Sequence, residues 1–371
     1  MEVYCLLKKI QTADEFFQIV KKKIICFGAG KRLDEFCDQL KQYNIGKQIM
    51  YIVDNDSEKW GSDKVCNGNS VKIISYTQMY KVLGHDSVII ITCDALDTIY
   101  QQIKSNKDGM DTECYFYKNI LMGAKCGDLK KIDVPDFLKV YDVPKIPKLI
   151  HYCWFGKNPL PDQYKEWMKS WKKYCPEYEI VEWNESNYDI SKNNYMKQAY
   201  DAKKWGFVPD YARLDIVYQH GGIYLDTDVE LINRLDKLLY QDAFCGFQYW
   251  FGGEIQINFG LGFGAVKGFP MLKTLKDQYN GLDFIDKNGN INLIASPTYQ
   301  SEVLREKGFK MNGEFQCIDG LTVYPPTVLC GIIGGTDWNI ITDHTISLHH
   351  FDGSWLDEDV KQQQRLIREK I

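Results

Sequence analysis

Apolar residues follow two different periods along this chain. Residues 21–30, KKKIICFGAG, form a short apolar run closed by a glycine turn, and Leu33, Phe36, Cys37 and Leu40 then recur at helical spacing. The pattern predicts a strand, a turn and a helix over 31–42. A second strand is predicted over 49–53, ending in Asp54-Asn55-Asp56, and a third over 87–92, followed by a helix over 95–104. Strands alternating with helices imply a small parallel α/β sheet.

The pattern breaks over 123–148, where glycines, charged residues and Pro135, Pro144 and Pro147 surround one short apolar patch. A connection is expected there, dividing the chain into an α/β domain at 1–122, a linker at 123–145 and a second domain at 146–371. Eight of the nine tryptophans lie in that second part. An aromatic-rich, acidic domain suits a carbohydrate site, although aromatic residues also fill cores.

Charge and cysteine usage narrow the classes. The net charge of −5 falls wholly on the second part, which argues against a basic groove for nucleic acid. No run of about 18 apolar residues is present, so no integral membrane segment is expected. Lys8, Lys9, Asp14 and Glu15 interrupt the first twenty residues, unlike a secretory signal. The twelve cysteines are scattered with no CxxC pair, which reads as reduced thiols in a cytoplasmic protein.

The segment richest in candidate chemistry is 207–230, FVPDYARLDIVYQHGGIYLDTDVE. Pro209 can open a helix whose apolar stripe is Phe207, Tyr211, Leu214 and Tyr218, and Gly221-Gly222 can stop it. Asp210 and Arg213, three apart, share a face away from that stripe. They are either a surface ion pair or a clamp for a phosphorylated sugar. Ile223-Tyr224-Leu225 reads as a buried strand ending in Asp226-Thr227-Asp228, whose two carboxylates face one side of an extended chain. Such oxygen ligands suit Mg²⁺ or Mn²⁺ holding a diphosphate, and they also occur as a plain polar turn.

The order Asp-x-x-Arg, double glycine, strand, DxD resembles the DXD-containing sugar transferases of glycosyltransferase family 32, which includes fungal mannosyltransferases and bacterial capsular polysaccharide synthesis proteins, with glucosylating toxins as distant relatives. IPKLIHYCWFG (146–156), WKKY (171–174), YEIVEW (178–183) and HHFDGSW (349–355) look like further family segments. The resemblance implies a GT-A type fold and a metal-dependent, retaining transfer of a hexose from a nucleoside-diphosphate sugar, most commonly a UDP-sugar, to a glycan. In bacteria that acceptor is commonly lipid-linked at the inner face of the membrane, so peripheral association there is expected.

By the same resemblance, Asp228 and Asp226 would ligate Mn²⁺ or Mg²⁺ with His350 as the third protein ligand. Asp226 would also touch the donor, Asp210 and Arg213 would hold its sugar, and Ser354 and Trp355 would close over the diphosphate. Trp154 would stack near the nucleobase, or fill the core of the first strand; His151 reads as structural. Asn258 is a further candidate for a polar contact with the donor. Where family members often carry a Gly-Pro step, this chain has Ser296-Pro297-Thr298.

The glycine turn Gly28-Ala29-Gly30, with Asp54 about twenty residues on, is similar to Rossmann-like modules, but Leu33 replaces the third glycine of a dinucleotide fingerprint. Close helix packing is the expected reason for the turn. Two rival functions share the acidic pair: a metal-dependent phosphohydrolase, and a sensor that binds nucleotide sugars without turnover.

Overall fold

The computed structural model describes residues 7–105, 112–135 and 140–353, so the expected contacts of Ser354 and Trp355 lie outside the described residues. The chain divides into two compact units, the first running to Asp128 and the second starting at Leu129.

In the first unit, β1 (Leu7–Lys8), β2 (Lys23–Phe27), β3 (Ile49–Val53), β4 (Asp63–Cys66), β5 (Asn69–Ile74), β6 (Ser87–Ile91) and β7 (Glu113–Phe116) form a sheet in the order β1-β7-β6-β2-β3-β5-β4. Its pairings are parallel except β4 on β5. Ile24 to Phe27 and Val88 to Ile91 are almost wholly buried, the mark of central parallel strands covered on both faces. The helices are α1 (Ala13–Ile19), α2 (Lys31–Gln39), α3 (Tyr76–Val82), α4 (Leu96–Lys104) and α5 (Tyr117–Lys130).

The glycine turn between β2 and α2 is a packing device. Gly28 has φ +119°, and a Cβ there would stand 2.9 Å from the Thr92 carbonyl oxygen. The Ala29 amide, which a bound phosphate would use, donates instead to Asp54 Oδ2 at 2.9 Å. Part of the expected linker is helical, because α5 runs through residues 123–130. Gly123 and Gly127, one turn apart, let it approach α1 closely: a Cβ on Gly123 would meet Ile10 and Phe16, and one on Gly127 would touch Phe17 and Ala13.

The second unit is also mixed α/β. In chain order it contains β8 (Leu149–Cys153), α6 (Asp162–Tyr174), β9 (Glu179–Trp183), α7 (Asn194–Asp201), α8 (Pro209–His220), β10 (Gly222–Tyr224) and β11 (Val229–Leu231). There follow β12 (Ala243–Tyr249), β13 (Ile255–Asn258), β14 (Phe263–Ala265), α9 (Pro270–Asp277), α10 (Ser296–Glu306), β15 (Gln316–Ile318), β16 (Leu321–Tyr324), α11 (Pro326–Leu329) and β17 (Ser347–His349). The main sheet has the order β15-β16-β12-β14-β10-β8-β9, with β13 added to β12, while β11 and β17 form a separate antiparallel ladder. Two apolar clusters enclose it, one including Phe244, Leu261 and Trp171 and the other including Phe247, Phe263 and Leu272.

Candidate active site

Proline at the first position of α8 lacks an N–H that the helix could not have bonded, and it starts the turn carrying Asp210 and Arg213. The sequence set this pair on an open helix face. The structure buries both, because α8 packs against α9, β8 and β10, which covers it on more than one side. A buried guanidinium needs charged partners, and Arg213 has two. Its Nη2 donates to Asp210 Oδ1, its Nη1 donates to Asp226 Oδ2 at 3.2 Å, and its Nε donates to the Pro209 carbonyl at 3.2 Å. Burial pushes the Asp210 carboxyl up to about 6, against the pull of Arg213 and with the charge of Asp226 adding to the rise.

Beyond β10 the chain delivers Asp226 and Asp228. Tyr224, two residues earlier on the same side, donates its hydroxyl to Asp226 Oδ1 at 2.9 Å. The sequence reading passed over this tyrosine, although strand alternation from Asp226 points back to it. Burial opposes ionisation of Asp226, but Arg213, His349 and Tyr224 together hold its carboxyl below the usual range. Asp228 is raised, by burial first and also by the neighbouring Asp226 charge, against the opposing pull of His349.

The histidine beside this pair is His349. Its Nε2 lies 3.3 Å from Asp228 Oδ1 and 4.0 Å from Asp226 Oδ2. The ladder pairs Val229 with His349, and successive side chains of an extended chain point to opposite sides. His350 therefore points the other way, with Nε2 3.0 Å from Glu230 Oε2 and its ring stacked on Trp167 at 4.1 Å. This corrects the choice of His350 as the third member of the cluster.

One ligand atom each from Asp226, Asp228 and His349 lie within 4.8 Å of one another, a set of two oxygens and one imidazole nitrogen that fits a divalent ion such as Mn²⁺ or Mg²⁺. Gly260 allows the approach of the surrounding groups. A Cβ there would stand 2.4 Å from Asp226 Oδ2 and 2.9 Å from Arg213 Nη1.

These groups line a cleft of about 570 Å³. Trp154 lies on its wall, its Nε1 donating to the Asn158 carbonyl at 2.7 Å and its ring edge-on to Tyr164, so it faces the cleft and does not fill the core beneath β8. Asn258 also lines it, next to Gln248 and Gln256, which no motif along the chain singles out. Ser296 and Pro297 form another part of the lining, where the Ser296 side chain favours the ionised form of the Asp210 carboxyl. His151 is structural: its ring bonds to the Gly221 carbonyl at 2.8 Å and accepts from Trp183 Nε1 at 3.2 Å, and burial lowers it to about 4.

Residues 161–245 match the family model described as a glycosyltransferase sugar-binding region containing a DXD motif. Over 122 residues the chain is 35% identical to inositol phosphoceramide mannosyltransferase 3 of Schizosaccharomyces pombe, covering 29% of this chain and 34% of that protein. Mannosyltransferase 2 of the same organism is 33% identical over 101 residues, covering 26% and 29%. The matched part thus spans about a third of the length of these relatives. Among solved structures, the PaToxG glycosyltransferase has a TM-score of 0.33 at 19% identity, covering 44% of this chain and 70% of that one. A glycosyltransferase involved in glycosylation of the major capsid of PBCV-1 has a TM-score of 0.33 at 13% identity, covering 59% and 100%. Among the described residues, no helix is long and apolar enough to cross a membrane.

Proposed function

We propose that the second unit is a metal-dependent, retaining glycosyltransferase with a GT-A type domain, moving a hexose from a nucleoside-diphosphate sugar to a glycan acceptor. The observation that carries this reading is the convergence of Asp226, Asp228 and His349 on the floor of a cleft, with the buried Arg213 beside them. The DXD match over 161–245 and the mannosyltransferase relatives support the same chemistry.

Asp226, Asp228 and His349 would hold the ion, Mn²⁺ by the preference of an imidazole-containing set, and it would neutralise charge on the departing diphosphate. Arg213 adds a fixed cation, and fixed charge aimed at a leaving group is commonly the largest catalytic contribution. Asp210 holds Arg213 in place and, on the cleft lining, can accept from a sugar hydroxyl. Trp154 provides an aromatic wall for the nucleobase. With no side chain among the described residues placed as a nucleophile, the leaving phosphate oxygen itself would accept the proton of the attacking hydroxyl.

UDP-hexoses and GDP-mannose are both fitting donors, the second because the relatives are named mannosyltransferases. The acceptor is a surface or capsular glycan, or a glycolipid at a membrane face. The first unit is a Rossmann-like module whose own carboxylate fills its phosphate turn, so its role is structural.

A melting-temperature screen of nucleotide sugars with and without Mn²⁺ tests the reading, because a true donor stabilises only the metal-loaded cleft. The expected result is a metal-dependent upward shift with one donor, together with product formation that rises with acceptor concentration. Donor cleavage that ignores acceptor and releases phosphate would instead show a phosphohydrolase.

A further inference from the structure

The antiparallel pairing of β12 and β13 sets Gln248 directly opposite Gln256, and Gly246 opposite Asn258. Alternation puts these side chains on the cleft face of the two strands, while Phe247 and Ile257 point into the core. The amides are joined head to tail. The Gly260 amide donates to Asn258 Oδ1 at 2.6 Å, which fixes the orientation of that side chain. Asn258 Nδ2 donates to Gln248 Oε1 at 2.8 Å, Gln248 Nε2 to Gln256 Oε1 at 3.1 Å, and Gln256 Nε2 to Thr298 Oγ1 at 3.3 Å. A backbone amide thus sets the polarity of the whole row.

Each glutamine uses one N–H and one lone pair on its neighbours and keeps one of each. Gln248 is only 7% exposed, so its remaining donor and acceptor need partners that bulk water does not readily supply. An uncharged row of alternating donors and acceptors complements adjacent hydroxyls of a pyranose ring, which themselves both donate and accept. Its location fits that ligand. One end abuts Asp226, since a Cβ on Gly260 would stand 2.4 Å from Asp226 Oδ2 and 3.0 Å from Asn258 Oδ1. The other end reaches Thr298, two residues past Ser296, which lines the same cleft as Asp210.

We infer that Gln248 and Gln256 bind the hydroxyls of the donor hexose and set which epimer the cleft accepts. The inference rests on the transferase reading above and names the residues that give it sugar specificity. An epimer with one hydroxyl moved leaves a buried amide unpaired, the kind of mismatch by which polar sites discriminate strongly.

The test is calorimetric titration of the full chain with Mn²⁺, using UDP, GDP, UDP-glucose, UDP-galactose and GDP-mannose, on wild type, Gln248→Met and Gln256→Met. Methionine keeps the length of the side chain and removes its hydrogen bonding. Wild type is expected to prefer one hexose over its epimer by at least about tenfold. Both variants should bind the free nucleoside diphosphate as wild type does, which also shows that they fold, while the epimer preference falls to within about threefold. An intact preference in both variants overturns the proposal, as does an equal loss for the free diphosphate, which makes the row structural. Unchanged donor binding with impaired transfer to acceptor overturns it too, by assigning the row to the acceptor sugar. If wild type binds no nucleotide at all, the transferase reading itself fails, a result distinct from the others.

Discussion

Each unit carries an aspartate at the end of a strand, and the two are handled in opposite ways. Asp54, past β3, is saturated from within: it accepts from the Ala29 amide at 2.9 Å, the Asp56 amide at 2.9 Å and Lys59 Nζ at 3.3 Å. Asp226 and Asp228, past β10, lie side by side on the floor of a cleft, where one buried guanidinium, one imidazole, the Tyr224 hydroxyl and the Asp352 amide contact them. The difference teaches that an acid at a strand end becomes a candidate for chemistry when the fold withholds its local donors and sets a second acid beside it. The first arrangement stabilises a turn, whereas the second leaves unbalanced negative charge for a cation to meet.

The sharpest way to break this comparison is Asp228→Asn. Transfer at saturating donor is expected to fall by at least about a thousandfold while circular dichroism stays unchanged, because a ligand is lost from the cleft and no core group is removed. Near-wild-type turnover would place the ion elsewhere.

Arg213→Lys comes next, with an expected loss of about two to three orders of magnitude in kcat/KM, because lysine keeps the charge but not the fork that spans Asp210 and Asp226. Arg213→Ala should in addition destabilise the unit by about 3–5 kcal/mol in denaturant titrations, since the buried Asp210 and the partly buried Asp226 lose their counter-ion. A cost below about 1 kcal/mol would restore the surface-pair reading.

Smaller still, His349→Ala should weaken Mn²⁺ binding by about 10–100-fold, whereas His350→Ala should change it by less than about threefold. Equal losses in the two variants, measured by metal titration, would undo the assignment based on strand alternation. At the low end, Asp54→Asn should leave transfer unchanged and cost the first unit about 1–3 kcal/mol in melting or denaturant experiments. A drop in activity there would mean that the glycine turn serves a ligand after all.

Much of this was legible in the sequence because it is local. The spacing of Asp210, Arg213, Asp226 and Asp228 fixes a helix, a stop and a strand end, and no distant contact is needed to read them. What escaped depends on pairing between remote segments. Choosing between His349 and His350 requires the phase of β17 against β11, which the dipeptide alone does not reveal. Gln248 and Gln256 form a row only through the register of β12 on β13, and Ser296 reaches Asp210 from a separate helix. The burial of Arg213 was missed because an apolar stripe defines one covered face of α8 but says nothing of further neighbours. The helical part of the expected linker is not legible because Gly123 and Gly127 look like chain breakers until α1 is seen against them.

The β11–β17 ladder has a kinetic consequence. It joins Val229 to His349 across about half of the second unit, a closure of high sequence separation held by a short two-stranded ribbon that is marginal by itself. Contacts of that range carry a loop-closure cost that must be met before they stabilise the fold. During synthesis the two carboxylates leave the ribosome well before the imidazole that completes their cluster. The acidic pair therefore waits for its imidazole until nearly all of this unit has been made.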